Sequence, residues 1–87
     1  MSIVNLNQPI KVLAKFIEGE IKPARFVFEN KIYDIETING SFLSKNGRLP
    51  IYFFAVKTKQ SQDIFELSFS FENLTWLLQR IICDDFT

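Results

Sequence analysis

The stretch RFVFENKIYDIET, residues 25–37, alternates large apolar residues with charged or polar ones, breaks at Asn30-Lys31, and resumes the alternation. A period of two is the signature of an extended strand with one face buried, because successive side chains point to opposite faces. Asn30-Lys31 is read as a two-residue hairpin loop, since Asn tolerates the left-handed backbone such loops need. Glu29 then faces Ile32, Phe28 faces Tyr33, Val27 faces Asp34, Phe26 faces Ile35 and Arg25 faces Glu36. This register puts Phe26, Phe28, Tyr33 and Ile35 together on one face and leaves an opposite-charge pair on the other. A slip of one residue would turn this whole set over.

The same period recurs downstream. DIFELSFSF, residues 63–71, sets Phe65, Leu67, Phe69 and Phe71 against Ile64, Glu66, Ser68 and Ser70. PIYFFAVKTK, residues 50–59, is β-rich in composition. Pairing Val56 with Phe65 leaves a loop at Lys59–Gln62 and places Phe54 opposite Leu67 and Tyr52 opposite Phe69. The other face of 51–57 carries Ile51, Phe53 and Ala55, so this strand asks for cover on both faces. Upstream, Ile10, Val12, Ala14 and Phe16 alternate with Lys11, Leu13, Lys15 and Ile17, a further strand. Glu18-Gly19-Glu20 and Lys22-Pro23 punctuate a loop after it. Gly40 marks a bend or bulge, and Asn46-Gly47 carries the strong signal of a type I′ hairpin turn.

Two segments are less regular. Residues 1–8 are polar-mixed and expected to be loose, leaving about 9–85 ordered as a single domain over 1–87. NLTWLLQRIICDD fits two periods. As a strand, Trp76, Leu78 and Ile82 share a face, but Arg80 joins them. As a helix capped by Asn73, Leu74, Leu77, Leu78 and Ile81 share one. Together these segments predict an all-β fold, a small antiparallel meander of five or six strands. Closing it into an SH3-like or OB-like barrel would remove its exposed edges. A C-terminal helix in place of the last strand is the alternative. Trp76 and Tyr33 are assigned to the core.

Composition narrows the function more than it names it. Eighty-seven residues allow one core, and 10 of the 13 aromatic residues are Phe, rings large enough to build that core from few positions. Ten basic and ten acidic residues cancel. Residues 1–60 hold nine Lys/Arg against five Asp/Glu, and residues 61–87 hold one against five. That balance lacks the net basic character of a distributed polyanion-binding surface, though a local basic patch is compatible with it. Cys83 is the only cysteine, so no internal disulfide forms. No stretch approaches the ~20 apolar residues of a membrane helix, and no leader pattern is evident; the expectation is a cytoplasmic protein.

Pro23, Phe26, Phe28, Lys31, Tyr33 and Ile35 stand in order, followed by Val56 and Thr58, by Glu66-Leu67, and by Trp76, Leu78, Arg80 and Asp84. This series resembles a family of short bacterial domains of unknown function. Its pattern runs Pro-x-x-Phe-x-aromatic-x-Gly-basic-x-Tyr-x-Val and closes with Trp-x-Leu-x-Arg. The likeness covers roughly residues 10–85 and favours a strand at the C-terminus. Departures are Asn30 where Gly is usual, Phe28 where Trp is common, and a longer segment at 39–49. Some relatives are associated with error-prone DNA polymerases, which implies a nucleic-acid connection for the family and not for this chain. The resemblance carries over no catalytic residue.

Catalysis finds little to stand on. The chain has no His, the usual general base, and its three glycines at 19, 40 and 47 form no phosphate loop. A Ser or Cys nucleophile would lack a His partner. Asp84 and Asp85 fall far short of the oxygen ligands a calcium ion takes. The expectation is therefore no enzyme, no cofactor and no metal. What remains is an interaction module for a protein partner, one acting on nucleic acid among the candidates. A homodimer is a second reading. Direct single-strand binding is a third, with bases stacking on Phe53 beside Lys57 and Lys59. The candidate surface is Phe53 with a basic rim of Lys45, Arg48, Lys57 and Lys59.

Overall fold

A computed structural model describes residues 1–45 and 47–83. Asn46 of the expected Asn-Gly turn and the Asp84-Asp85 pair lie outside the described residues. Among those described there are seven strands and no helix: Ser2–Pro9 (β1), Lys11–Ile17 (β2), Glu20–Phe28 (β3), Lys31–Ser44 (β4), Ile51–Thr58 (β5), Ile64–Ser70 (β6) and Thr75–Cys83 (β7). All pairings are antiparallel within one sheet of order β1-β7-β6-β5-β4-β3-β2. The two ends of this order, β1 and β2, are separated in sequence by Ile10 alone. The Ile10 amide donates to the Trp76 carbonyl, N···O 3.1 Å.

The opening hairpin forms one residue earlier than its sequence indicates. Glu29 and Asn30 make the turn, with φ of 51° and 61°, so that Phe28 pairs with Lys31, Phe26 with Tyr33 and Arg25 with Asp34. Moving a two-residue loop by one position shifts each partner by two, which preserves the faces. Phe26 and Phe28 are therefore buried as expected, with Tyr33 and Ile35 half-buried and packed against the core. The expected Arg25–Glu36 pair is replaced by Arg25–Asp34. Both turn positions are left-handed; Asn30 tolerates that backbone, and Glu29 takes the other position in place of Lys31.

The β5–β6 register matches the expectation: Val56 pairs with Phe65, Phe54 with Leu67 and Tyr52 with Phe69. The inward face of this pair is the centre of the core. Phe26, Val56, Leu67 and Leu78 are its fully buried side chains, each stabilising the fold by roughly 1.5–3 kcal/mol relative to exposure. Phe65, Phe69 and Phe54 complete it, bordered by Trp76 at 4.9 Å from Phe69 between ring centroids.

Three expectations need correction. Residues 1–8 are not loose: they pair with β7 as β1. The meander therefore has seven strands rather than five or six. β1 is almost wholly exposed, with only Leu6 half-buried, so ladder hydrogen bonds rather than a buried face hold it. Lys22-Pro23 is not a loop; the turn is Glu18-Gly19, and Pro23 lies inside β3. The proline is admitted there beside a register shift that leaves Ala24 unpaired. The connection between β4 and β5 spans 45–50, since Ser44 pairs with Ile51, and is no two-residue turn. Of the two readings left open for the C-terminal segment, the structure has the strand. A register shift between Glu66 and Leu67 leaves Gln79 as an extra residue in β7. Trp76, Leu78 and Ile81 then point inward, while Arg80 pairs with Glu66 on the outer face. That bulge removes the conflict between Arg80 and its apolar neighbours, and its two-then-three spacing is what imitates a helical period.

Gly40 follows a bulge, as its sequence signals. β4 carries register shifts between Ile35 and Thr37 and between Ile38 and Gly40. Bulges bend a strand and raise its twist. With two of them, β4 leaves β3 after Asp34 and runs on with β5 from Ile35.

Candidate interaction surfaces

Because β4 departs from β3, the first half of β3 has β2 on one side and, among the described residues, no strand on the other. The second half of β4 is likewise paired with β5 alone. The space between is a cleft of about 530 Å³. Ile21 and Pro23 line one bank, Ile35 and Ile38 the other, and Tyr52 and Phe54 the floor; Lys15, Lys22, Glu20 and Glu36 stand on the rim. Lys22 pairs with Glu20 at 3.7 Å. Both banks are strand edges, which offer backbone donors and acceptors in a row. Sequence reasoning missed this cleft, because bulges at Glu36 and Asn39 leave no compositional mark.

The opposite face of β4–β7 is built in cross-strand rows. Phe42, Phe53, Ser68 and Leu77 form one, and Gly40, Ala55, Glu66 and Arg80 the next; Thr37, Lys57, Ile64 and Ile82 form a third. Phe42 and Phe53 stack with centroids 4.8 Å apart and planes 12° apart, and Phe42 is 63% exposed. A shallow hollow of about 390 Å³ lies between these rings, Gly40, Ala55 and the Glu66–Arg80 pair. Arg80 donates through Nε to Glu66 Oε1 at 2.5 Å and through Nη2 to Oε2 at 3.3 Å. These bonds from Glu66 hold the guanidinium further into its charged form. Gln79 at the bulge donates to Ser68 Oγ at 2.7 Å.

The five expected surface residues do not converge. Phe53 and Lys57 share this outer face, two strand positions apart through Ala55, with Glu66 in the row between them. Lys59 lies just past β5, its amide bonded to the Asp34 carbonyl at 2.9 Å. Lys45 and Arg48 stand in the 45–50 connection at the other end of β5. The length of β5 between the two basic groups is about 23 Å at ~3.3 Å per residue. The rim is thus two separate pairs of cations.

A polar clamp ties the β3–β4 hairpin to the loop after β5. Arg25 Nε donates to Asp34 Oδ1 at 2.6 Å, Gln60 Nε2 donates to Oδ2 at 2.9 Å, and the Asp34 amide donates to Gln60 Oε1 at 2.8 Å. The Arg25 and Gln60 hydrogen bonds hold the Asp34 carboxyl below its ordinary value, against a small opposing effect of burial. Among the described residues no three His, Cys, Asp or Glu side chains gather as a metal would require, and no helix is long and apolar enough to cross a membrane.

No protein-family model, no curated protein and no solved structure matches this chain. Of the residues read in sequence as a family-like series, Pro23, Phe26, Phe28, Val56, Leu67 and Leu78 are buried. Glu66 and Arg80, two charged members of that series, are the outer-face ion pair.

Proposed function

We propose that this protein is a non-catalytic interaction module that takes an extended segment of a protein partner along the cleft between β3 and β4. The observation that carries this reading is the pair of strand edges left unpaired on either side of an apolar floor. An extended chain entering there adds backbone hydrogen bonds to an edge and drops alternate side chains onto Ile38, Tyr52 and Phe54, the mode of β-strand addition. The continuity of β1 and β2 through Ile10 supports reading the sheet as curling into a small SH3-like or OB-like barrel, with the cleft where its wall parts. The resemblance to domains associated with DNA polymerases favours a partner that itself acts on nucleic acid. A lone thiol fits a reducing, cytoplasmic setting.

The test is a selection of displayed peptides against the intact protein, followed by amide chemical-shift mapping. Selected peptides are expected to alternate apolar residues and to shift and protect amides of Glu20, Ile21, Lys22, Ala24 and 36–41, Pro23 having none. Ile38→Lys, with its fold checked by circular dichroism, is expected to abolish binding. Peptides that bind while leaving those amides unmoved would overturn the reading. Direct single-strand binding draws on Phe53 and Lys57 sharing one face, but Glu66 stands between them. It predicts an affinity for oligothymidylate that falls steeply with salt.

A further inference from the structure

The cleft is closed at one end and open at the other. From Arg25 and Asp34 to the Glu29-Asn30 turn, β3 and β4 pair directly. Neighbouring strands lie ~4.8 Å apart, so no third strand fits between them there. At the other end β3 begins at the Glu18-Gly19 turn, while β4 runs on to Ser44. A segment lying between the two edges therefore enters along β4 and stops where the strands join. We infer that the occupant is the free carboxyl-terminal end of a partner chain, which rests on strand addition in this cleft as proposed above.

The edge that the segment pairs with decides which of its ends reaches the fork. β3 runs toward the fork and β4 away from it. An antiparallel partner of β3 puts its amino end at the fork, and an antiparallel partner of β4 its carboxyl end. Antiparallel pairing is the more stable per residue, so the better edge fixes the direction. The two edges are unequal. Along an antiparallel pair, consecutive residues turn their backbone groups alternately toward the partner and away from it. Ile17 and Glu20 flank the two-residue Glu18-Gly19 turn as a pair. Glu20 and Lys22 thus turn to β2, and Ile21 and Pro23 turn to the cleft. Pro23 has no N–H, and a strand proline sits with that missing donor on the unpaired side. Ile21 is then the sole donor that β3 offers over its free length. β4 carries no proline from Glu36 to Ser44, so it supplies the ladder, and the carboxyl end of the segment lies at the fork.

The free edge of β3, residues 20–24, is about 16 Å long at ~3.3 Å per residue. It is the last few residues of the partner that lie between the two edges, and the chain before them follows β4 outward toward Ser44. Charge does not select this occupant: Lys15 and Lys22 on the rim are offset by Glu20 and Glu36, and Asp34 at the fork is paired with Arg25. Recognition thus rests on backbone hydrogen bonds, on alternate apolar side chains over Ile38, Tyr52 and Phe54, and on the chain ending where β3 and β4 meet.

The experiment selects random octapeptides against the intact protein from three libraries, displayed with a free carboxyl end, with a free amino end, or between Gly-Ser linkers. Binders are expected from the free-carboxyl library. For these, a Gly-Ser extension at the carboxyl end is expected to weaken binding at least about tenfold, and the same extension at the amino end to change it less than about twofold. A spin label near the carboxyl end of the peptide is expected to broaden the amides of Arg25 and Asp34, and one near its amino end those of Leu43 and Ser44. Peptides that shift the 36–41 amides yet tolerate the carboxyl extension, or that bring their amino end to Arg25 and Asp34, overturn this inference and leave strand addition in the cleft standing. Peptides that bind without moving those amides overturn both, as does the absence of binders from all three libraries.

Discussion

Thr58 is 4% exposed, and its Oγ1 has no hydrogen-bond partner among the described residues. A buried hydroxyl without a partner carries a desolvation cost that a methyl group of the same shape does not. Thr58→Val is therefore expected to stabilise the fold by about 1 kcal/mol, read as a higher urea midpoint with unchanged slope. Asp34 makes the opposite point, a polar group held by every neighbour it has. Its folded carboxyl titrates below the ordinary value, and the unfolded one at about 3.9. The stability it contributes is thus fully present above the unfolded value and is lost as pH falls through the lower folded value. Carboxyl titration by NMR is expected to find a midpoint below about 3.9, and Arg25→Gln is expected to raise it, since the Arg25 hydrogen bond is its largest cause. A midpoint unmoved by Arg25→Gln would assign the shift to Gln60 instead. The alternation around Phe26 made the burial of that ring legible, but no periodicity distinguishes Asp34 from Glu36 as the partner of Arg25; the turn one residue upstream decided it.

At the scale of elements, bulges shape what the binary pattern only outlines. Gln79 is the extra residue in β7 that lets Leu78 and Ile81 both face inward while Arg80 faces out. Deleting Gln79 removes the extra residue and leaves a strict alternation in which Leu78 and Ile81 still face inward and Arg80 still faces Glu66. The deletion is therefore expected to keep cooperative unfolding, read by urea titration, at a cost of about 1 kcal/mol for the lost bond to Ser68. Gln79→Ala keeps the bulge, loses the same bond and is expected to match it; loss of cooperative unfolding on deletion alone would show that the bulge itself is needed. The strand at β5 and its partner β6 were legible down to individual pairs, since both inner faces are aromatic and only one register buries them. β1 was not legible. Its side chains are nearly all exposed, and a strand held by backbone bonds alone leaves no pattern of burial to read. Residues 73–82 stayed open between strand and helix for a related reason: a bulged strand and a helix place apolar residues at the same spacing.

For the whole molecule, the placement of candidate residues separates what is local from what is not. Phe53 and Lys57 on a common face followed from period two, a property of any strand. That Lys45 and Arg48 stand a strand length away from Lys57 and Lys59 follows from where β5 begins and ends. The cleft depends on β4 changing partners at Asp34, which no single segment encodes. The amino-acid order by itself determined an all-β chain, a core of Phe, Leu and Val on one side of each central strand, and the register of β5 on β6. These follow from short-range alternation and from the cost of exposing aromatic rings. Only the tertiary structure decided that residues 2–9 pair with β7, that β4 parts from β3, and that an exposed aromatic stack flanks the Glu66–Arg80 pair. Those features arise from pairings between distant strands, whose geometry is set by bulges and twist rather than by the hydrophobicity of any one residue.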